Sequence, residues 1–166
     1  HCEQYAITAI LLKKYEKASQ LLSKYFDPCL ARKNDIYATR GALAYAKLYL
    51  SKNEYKKALN YLNMGMEINE KSFYLPFEIQ LRVLENMCFF LMDEYEFAKQ
   101  LSVRNAKYIA KQKAVELTKT YKGFFRLVAG LIGCVEQKKE LSPALKKEYL
   151  SIKSNLRNPY ISISFK

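Results

Sequence analysis

Three segments of the chain carry one pattern at a fixed interval. Lys14-Tyr15-Glu16-Lys17-Ala18, Glu54-Tyr55-Lys56-Lys57-Ala58 and Glu94-Tyr95-Glu96-Phe97-Ala98 place their tyrosines at one constant spacing, twice, and their alanines likewise. Leu22 and Leu62 extend the register in the first two copies. An aromatic and a small residue recurring at one interval mark a repeat architecture, in which each unit is a supersecondary element that buries its apolar face against its neighbours.

Each copy opens a helix. In the second, Tyr55, Ala58, Leu59, Leu62 and Met66 follow the i, i+3, i+4, i+7, i+11 spacing of one helical face. Another apolar helix precedes each copy, at about Tyr5–Leu12, Ile36–Leu50 and Tyr74–Met92. Connections as short as Ser51-Lys52-Asn53 make antiparallel neighbours, so each unit reads as a helical hairpin. An Ala where two helices cross lets their backbones approach, and the preceding Tyr fills the space beside it.

These positions resemble the tetratricopeptide repeat family. Tyr55, Ala58, Leu62 and Gly65 match the aromatic, small, bulky and small positions of its second helix, and Ala46 and Tyr49 match the small and aromatic positions of its first. The likeness covers about residues 1–112 and is strongest over 39–70. The interval here is longer than the family's period of about 34, no Pro follows Ile68, and Asn86 stands where a small residue is usual. The resemblance implies an all-α fold of about seven or eight helices, with antiparallel hairpins stacked as a tetratricopeptide-like α-solenoid. The expected units are about 1–33, 34–72 and 73–112.

Beyond residue 112 the pattern degrades. A helix is expected from about Ala114 to Val135, and Ser142-Pro143 reads as an N-cap with Pro in the first turn of a helix to about Leu156. A degenerate hairpin over 113–157 is what a capping repeat looks like, so 1–157 reads as one domain. The alternating Tyr160-Ile161-Ser162-Ile163-Ser164-Phe165 makes 158–166 an extended tail. Because residue 1 is His1 and the first helix is short and apolar, the chain reads as part of a longer parent protein.

Composition narrows the function classes. Half the residues are apolar and only five are Gly and four Pro, which excludes disordered and collagen-like chains. The most apolar helix, 73–92, carries Glu78, Arg82 and Glu85, and the run 123–135 is too short to span a bilayer. A membrane role is therefore not expected, and the chain reads as cytoplasmic. Cys2, Cys29, Cys88 and Cys134 form no C-x-x-C pair, and His1 is the only histidine, so no metal site is expected; free thiols are.

Catalysis finds little to work with. No interior imidazole exists for a nucleophile–base pair. No Gly-rich phosphate loop is present. Asp93, Glu94 and Glu96 sit at a turn and a first helical turn, where acids complement the helix dipole. A non-enzymatic protein without cofactor is the expectation.

Two binding surfaces compete. In the tetratricopeptide family the first helix of each hairpin lines a concave groove, which the resemblance transfers to Arg40, Leu43, Lys47 and Leu50, then Gln80, Val83, Met87 and Phe90. Its mixture of positive and apolar residues suits an acidic, partly hydrophobic peptide; the alternative is that Leu43, Val83 and Phe90 are core. Relatives that grip a C-terminal carboxylate use Lys where Leu43 stands, so that activity is not implied. The second surface is basic. The net charge is +12, in part the Lys-rich composition of an AT-rich genome, but residues 60–98 hold two basic and seven acidic side chains, and residues 99–126 eight basic and one acidic. The field is bipolar. Arg104, Lys107 and Lys111 share one helical face and Lys119, Lys122 and Arg126 another, with Tyr108, Tyr121, Phe124 and Phe125 interleaved. Such a block suits nucleic acid or another polyanion; the alternative is a solvated face with its aromatics turned inward. The leading expectation is a protein- or peptide-binding scaffold. The others are a polyanion-binding module and the helical sensor part of a larger regulator.

Overall fold

A computed structural model of the chain describes residues 2–32, 36–72, 74–112, 115–140 and 142–147. Among these the fold is all-α, with helices α1 (Cys2–Leu11), α2 (Tyr15–Arg32), α3 (Ile36–Ser51), α4 (Tyr55–Ser72), α5 (Leu75–Leu91), α6 (Tyr95–Ala110) and α7 (Val115–Glu136). A further helical stretch covers 143–147, the beginning of the helix expected to reach Leu156; the remainder of that helix and the tail 158–166 lie outside the described residues.

The chain divides into two compact units, residues 1–92 and 93–166. The expected third hairpin, 73–112, contributes α5 to the first and α6 to the second. In the first unit each helix packs on the next, and α1 packs on α3 and α3 on α5 as well. Among the described residues the backbones of α2 and α4 are not direct neighbours. The first helices of successive hairpins thus form a continuous layer, the second helices lie outside it, and the hairpins stack as an α-solenoid. In the second unit α6 packs along α7.

The repeat works through its turns. Lys13, Asn53 and Asp93, which hold one register position in successive units, all adopt left-handed backbone with φ of 57°, 59° and 61°. After α1 and α3 the hydrogen bonds are those of one helix stop. Lys13 N–H donates to Ile10 O at 2.9 Å and Lys14 N–H to Ala9 O at 2.8 Å; Asn53 N–H donates to Leu50 O at 3.0 Å and Glu54 N–H to Tyr49 O at 2.9 Å. This pattern satisfies carbonyls that a helix end leaves open and reverses the chain. α7 ends the same way at Lys138, with φ 50° and Lys139 N–H donating to Cys134 O at 2.9 Å.

Each turn launches a helix with the same first bond. Ala18, Ala58 and Ala98 N–H donate to the carbonyls of Lys14, Glu54 and Glu94 at 3.0, 3.0 and 2.9 Å. All three methyl groups are fully buried, as are Leu22 and Leu62 one turn on. The repeated tyrosines secure the turns by different bonds. Tyr55 and Tyr95 donate to their own turn residues, Asn53 Oδ1 at 3.0 Å and Asp93 Oδ1 at 2.6 Å. Lys13 has no acceptor to offer, and Tyr15 donates to the Ser51 carbonyl at the end of α3, 2.9 Å away.

Between hairpins, large and small residues exchange sides. Gly41 on α3 receives Phe26 from α2: a Cβ built there would lie 2.9 Å from the Phe26 Cβ. On α4 the small partner is Gly65, where a Cβ would come within 2.7 Å of Leu81 Cδ2 on α5 and 3.2 Å of Ala42 Cβ on α3. Gly inside a helix costs about 1 kcal/mol relative to Ala; here close packing on both sides offsets it.

Candidate functional site

The inner layer of the first unit brings polar residues of α1, α3 and α5 together. Arg40 Nε donates to Glu3 Oε2 at 2.9 Å, and its Nη2 meets the same oxygen. Two turns further along α3, Lys47 Nζ donates to Gln80 Oε1 on α5 at 3.4 Å. The two contacts are related by the repeat: Gln80 is the register equivalent of Arg40 one unit on, and Leu43 and Val83 are the equivalents of Glu3 one and two units on. The two contacts thus share the position held by Arg40 and Gln80, but their partners differ in register, since Lys47 is the equivalent of Ile7, one helical turn beyond Glu3; the first interval holds an ion pair and the second an ammonium–amide contact.

The electrostatics of the pairs differ. The Glu3 side chain is 14% exposed and that of Arg40 36%. Lys47 is half-buried, and desolvation holds its ammonium below the usual lysine pKa; attraction from Glu3 opposes that shift. Among the described residues Lys47 makes no ion pair with any carboxylate.

The expected groove residues differ in exposure. Leu43, Val83 and Met87 are buried in the packing between helices, so a ligand on this face would meet Arg40, Lys47 and Gln80 before them. Leu50 and Phe90 are half-buried. Sequence reading passed over Glu3, although its register equivalence to Leu43 marks it as a residue of the same face.

Two polar clusters were also not read from sequence. At the α4–α5 junction Asn69 Nδ2 donates to Glu78 Oε2 at 3.1 Å, its Oδ1 accepts from Tyr74 N–H at 3.1 Å, and Glu78 Oε1 accepts from Arg82 Nε at 2.7 Å. Asn69 and Glu78 are buried, and this network satisfies their polar atoms. Beside α3, the rings of Tyr45 and Tyr61 stack at 4.7 Å and those of Tyr49 and Tyr61 at 5.5 Å, while Tyr45 donates to Asp27 Oδ1 at 2.6 Å. Burial, then the Asp27 contact, raise the Tyr45 pKa. Both clusters tie hairpins together.

In the second unit, Arg104, Lys107 and Lys111 on α6 and Arg126 on α7 are exposed. Lys107 and Arg126 line one open groove of about 280 Å³, with Ser102, Ala106, Ala129 and Phe125 among its walls. The side chains of Lys119 and Lys122 lie outside the described residues. Tyr121, Phe124 and Phe125 are buried, and Tyr108 is half-buried. The first three rings therefore belong to the core and offer no face for stacking on a base.

No cluster of three or more potential metal ligands occurs among the described residues. Cys88 is buried, and desolvation, reinforced by nearby Glu85, pushes its thiol up to about 12, which keeps it protonated. No described helix is long and apolar enough to cross a membrane.

A stacked helical repeat with a mixed polar row along its first helices is thus the class the geometry defines. One curated relative, the RNA polymerase-associated protein CTR9 of Saccharomyces cerevisiae, is 32% identical over 109 residues. The likeness covers 64% of this chain and 10% of that protein, so the chain spans about a tenth of its relative's length. No family model and no solved structure matches the chain.

Proposed function

We propose that this chain is a non-enzymatic interaction module whose first unit binds an acidic segment of a partner protein along the α3 face. The observation that carries the reading is Lys47, a half-buried cation whose direct contact is a neutral amide, on a layer of stacked first helices. A partly desolvated charge with no direct ion-pair partner is costly, and a carboxylate from outside would lower that cost. The partial likeness to a polymerase-associated protein supports a role in protein assembly over catalysis.

The test is a titration of a fluorescent Glu-rich peptide, monitored by anisotropy, against a Lys-rich peptide of the same length. The acidic peptide is expected to bind and the basic one not. Lys47→Glu should weaken acidic binding at least about ten-fold, as expected for a lost charge contact turned repulsive. Equal binding by wild type and Lys47→Glu would refute the site.

A second reading belongs to the second unit, where Lys107 and Arg126 flank one groove. It supports polyanion binding through charge alone. Lys107→Glu with Arg126→Glu should then abolish retention of a short oligonucleotide at low salt.

A further inference from the structure

Resting on the α3-face reading, we propose that Glu3 is an internal competitor for that face: it occupies Arg40 as a partner carboxylate would, and binding requires its displacement.

The repeat makes Glu3 an exception. Its equivalents, Leu43 and Val83, are buried aliphatic residues. At residue 3 the same register holds a carboxylate, directed at the Arg40 guanidinium. Two N–H groups of Arg40 converge on a single oxygen, Glu3 Oε2, a charge-assisted contact that an external carboxylate could make in its place. The occupant is thus supplied by α1 and the receptor by α3.

One acid serves two cations. Lys47 lies two helical turns from Arg40 on the same helix, roughly 10 Å along the axis. It feels Glu3 only at long range, since its direct contact is with Gln80. With Glu3 in place the Arg40 end is neutral and the Lys47 end positive. A partner carboxylate therefore meets, at Lys47, a cation with no ion pair among the described residues and, at Arg40, one already paired. Glu3 is held nearby by its own helix, so it competes with the advantage of an intramolecular ligand. The contact sets a threshold: weakly acidic segments are refused at Arg40, and strongly acidic ones displace Glu3.

The experiment titrates the Glu-rich peptide, and the same peptide with Gln at every Glu, into wild type, Glu3→Gln, Glu16→Gln and the double variant Glu3→Gln/Arg40→Gln. Glu16 is exposed on α2, so its variant carries the same change of net charge away from the face. Glu3→Gln is expected to bind the acidic peptide about five-fold or more tighter than wild type. Glu16→Gln should stay within about two-fold, and the double variant should lose the gain. The Gln peptide should bind none of them. Circular dichroism melting of each variant confirms that it is folded. If wild type binds and Glu3→Gln is no tighter than Glu16→Gln, competition is refuted while the α3 face stands as a binding surface. If the double variant keeps the gain, Arg40 is not the contested group and the inference fails. Absence of acidic-peptide binding by wild type and Glu3→Gln together sinks both readings. Binding by Glu3→Gln alone supports both.

Discussion

Lys13 and Lys138 carry side chains in a backbone region that glycine enters without steric cost. Asn53 and Asp93, at the equivalent turns, belong to the residue types that tolerate it best. Lys13→Gly and Lys138→Gly should each stabilise the fold by roughly 0.5–1 kcal/mol, read as a higher denaturation midpoint. A fall in midpoint would mean these lysines make contacts that outweigh the strain. Lys47 presents the opposite case. Its folded pKa lies below its unfolded one, so between the two values the unfolded chain holds a proton the folded chain lacks, and stability rises with pH through that window. Lys47→Met should therefore melt higher than wild type near pH 7. The gap should narrow as pH approaches the usual lysine pKa of 10.5. Melting curves of both proteins across that range check the sign.

At the scale of the helix, Ala58 and Gly41 are the positions where packing leaves no room. Ala58 is fully buried in the first turn of α4. Ala58→Arg combines overpacking with a buried charge and should cost several kcal/mol, on the order of 3–5; a variant melting like wild type would mean the helices are not packed there. Gly41→Ala should raise helix propensity and still destabilise, by about 1–3 kcal/mol, because the new methyl meets the Cβ of Phe26, an atom fixed to its backbone. Gly65→Ala should cost less, since its nearest neighbour is the movable end of Leu81. Chemical denaturation of the two variants ranks them directly. The helices were legible in the sequence because the helical spacing within each unit and the interval between units agree. Pairs such as Phe26 with Gly41 were not, because they join residues from different hairpins whose registers only meet once the stack forms.

For the whole molecule, the alternation of acidic and basic blocks places the largest excess of positive charge in residues 99–126. Binding of acidic peptide to the α3 face involves the half-buried cations Arg40 and Lys47, so raising ionic strength from about 0.05 M to about 0.5 M should weaken it, mainly through the association rate. Stopped-flow anisotropy at both salt concentrations separates the rates. A dissociation rate that carries the whole salt effect would point to contacts formed only after docking. The basic block itself illustrates a divided outcome: Arg104, Lys107, Lys111 and Arg126 are exposed as a binding surface would need, whereas Tyr121, Phe124 and Phe125 are spent on the core of the second unit.

What the sequence determined alone is local and periodic. Tyr15, Ala18 and their equivalents in the next two units dictate where helices start, which edge is small, and that hairpins repeat, because backbone bonding and helical phase are set within a few residues. The tertiary structure decided which face residues remain available. Leu43 and Val83 share a register with Glu3, yet two are buried between helices and one reaches Arg40 on another hairpin. Such choices depend on the neighbour each side chain meets across the stack, and adjacency of that kind is not written in the spacing of any one helix.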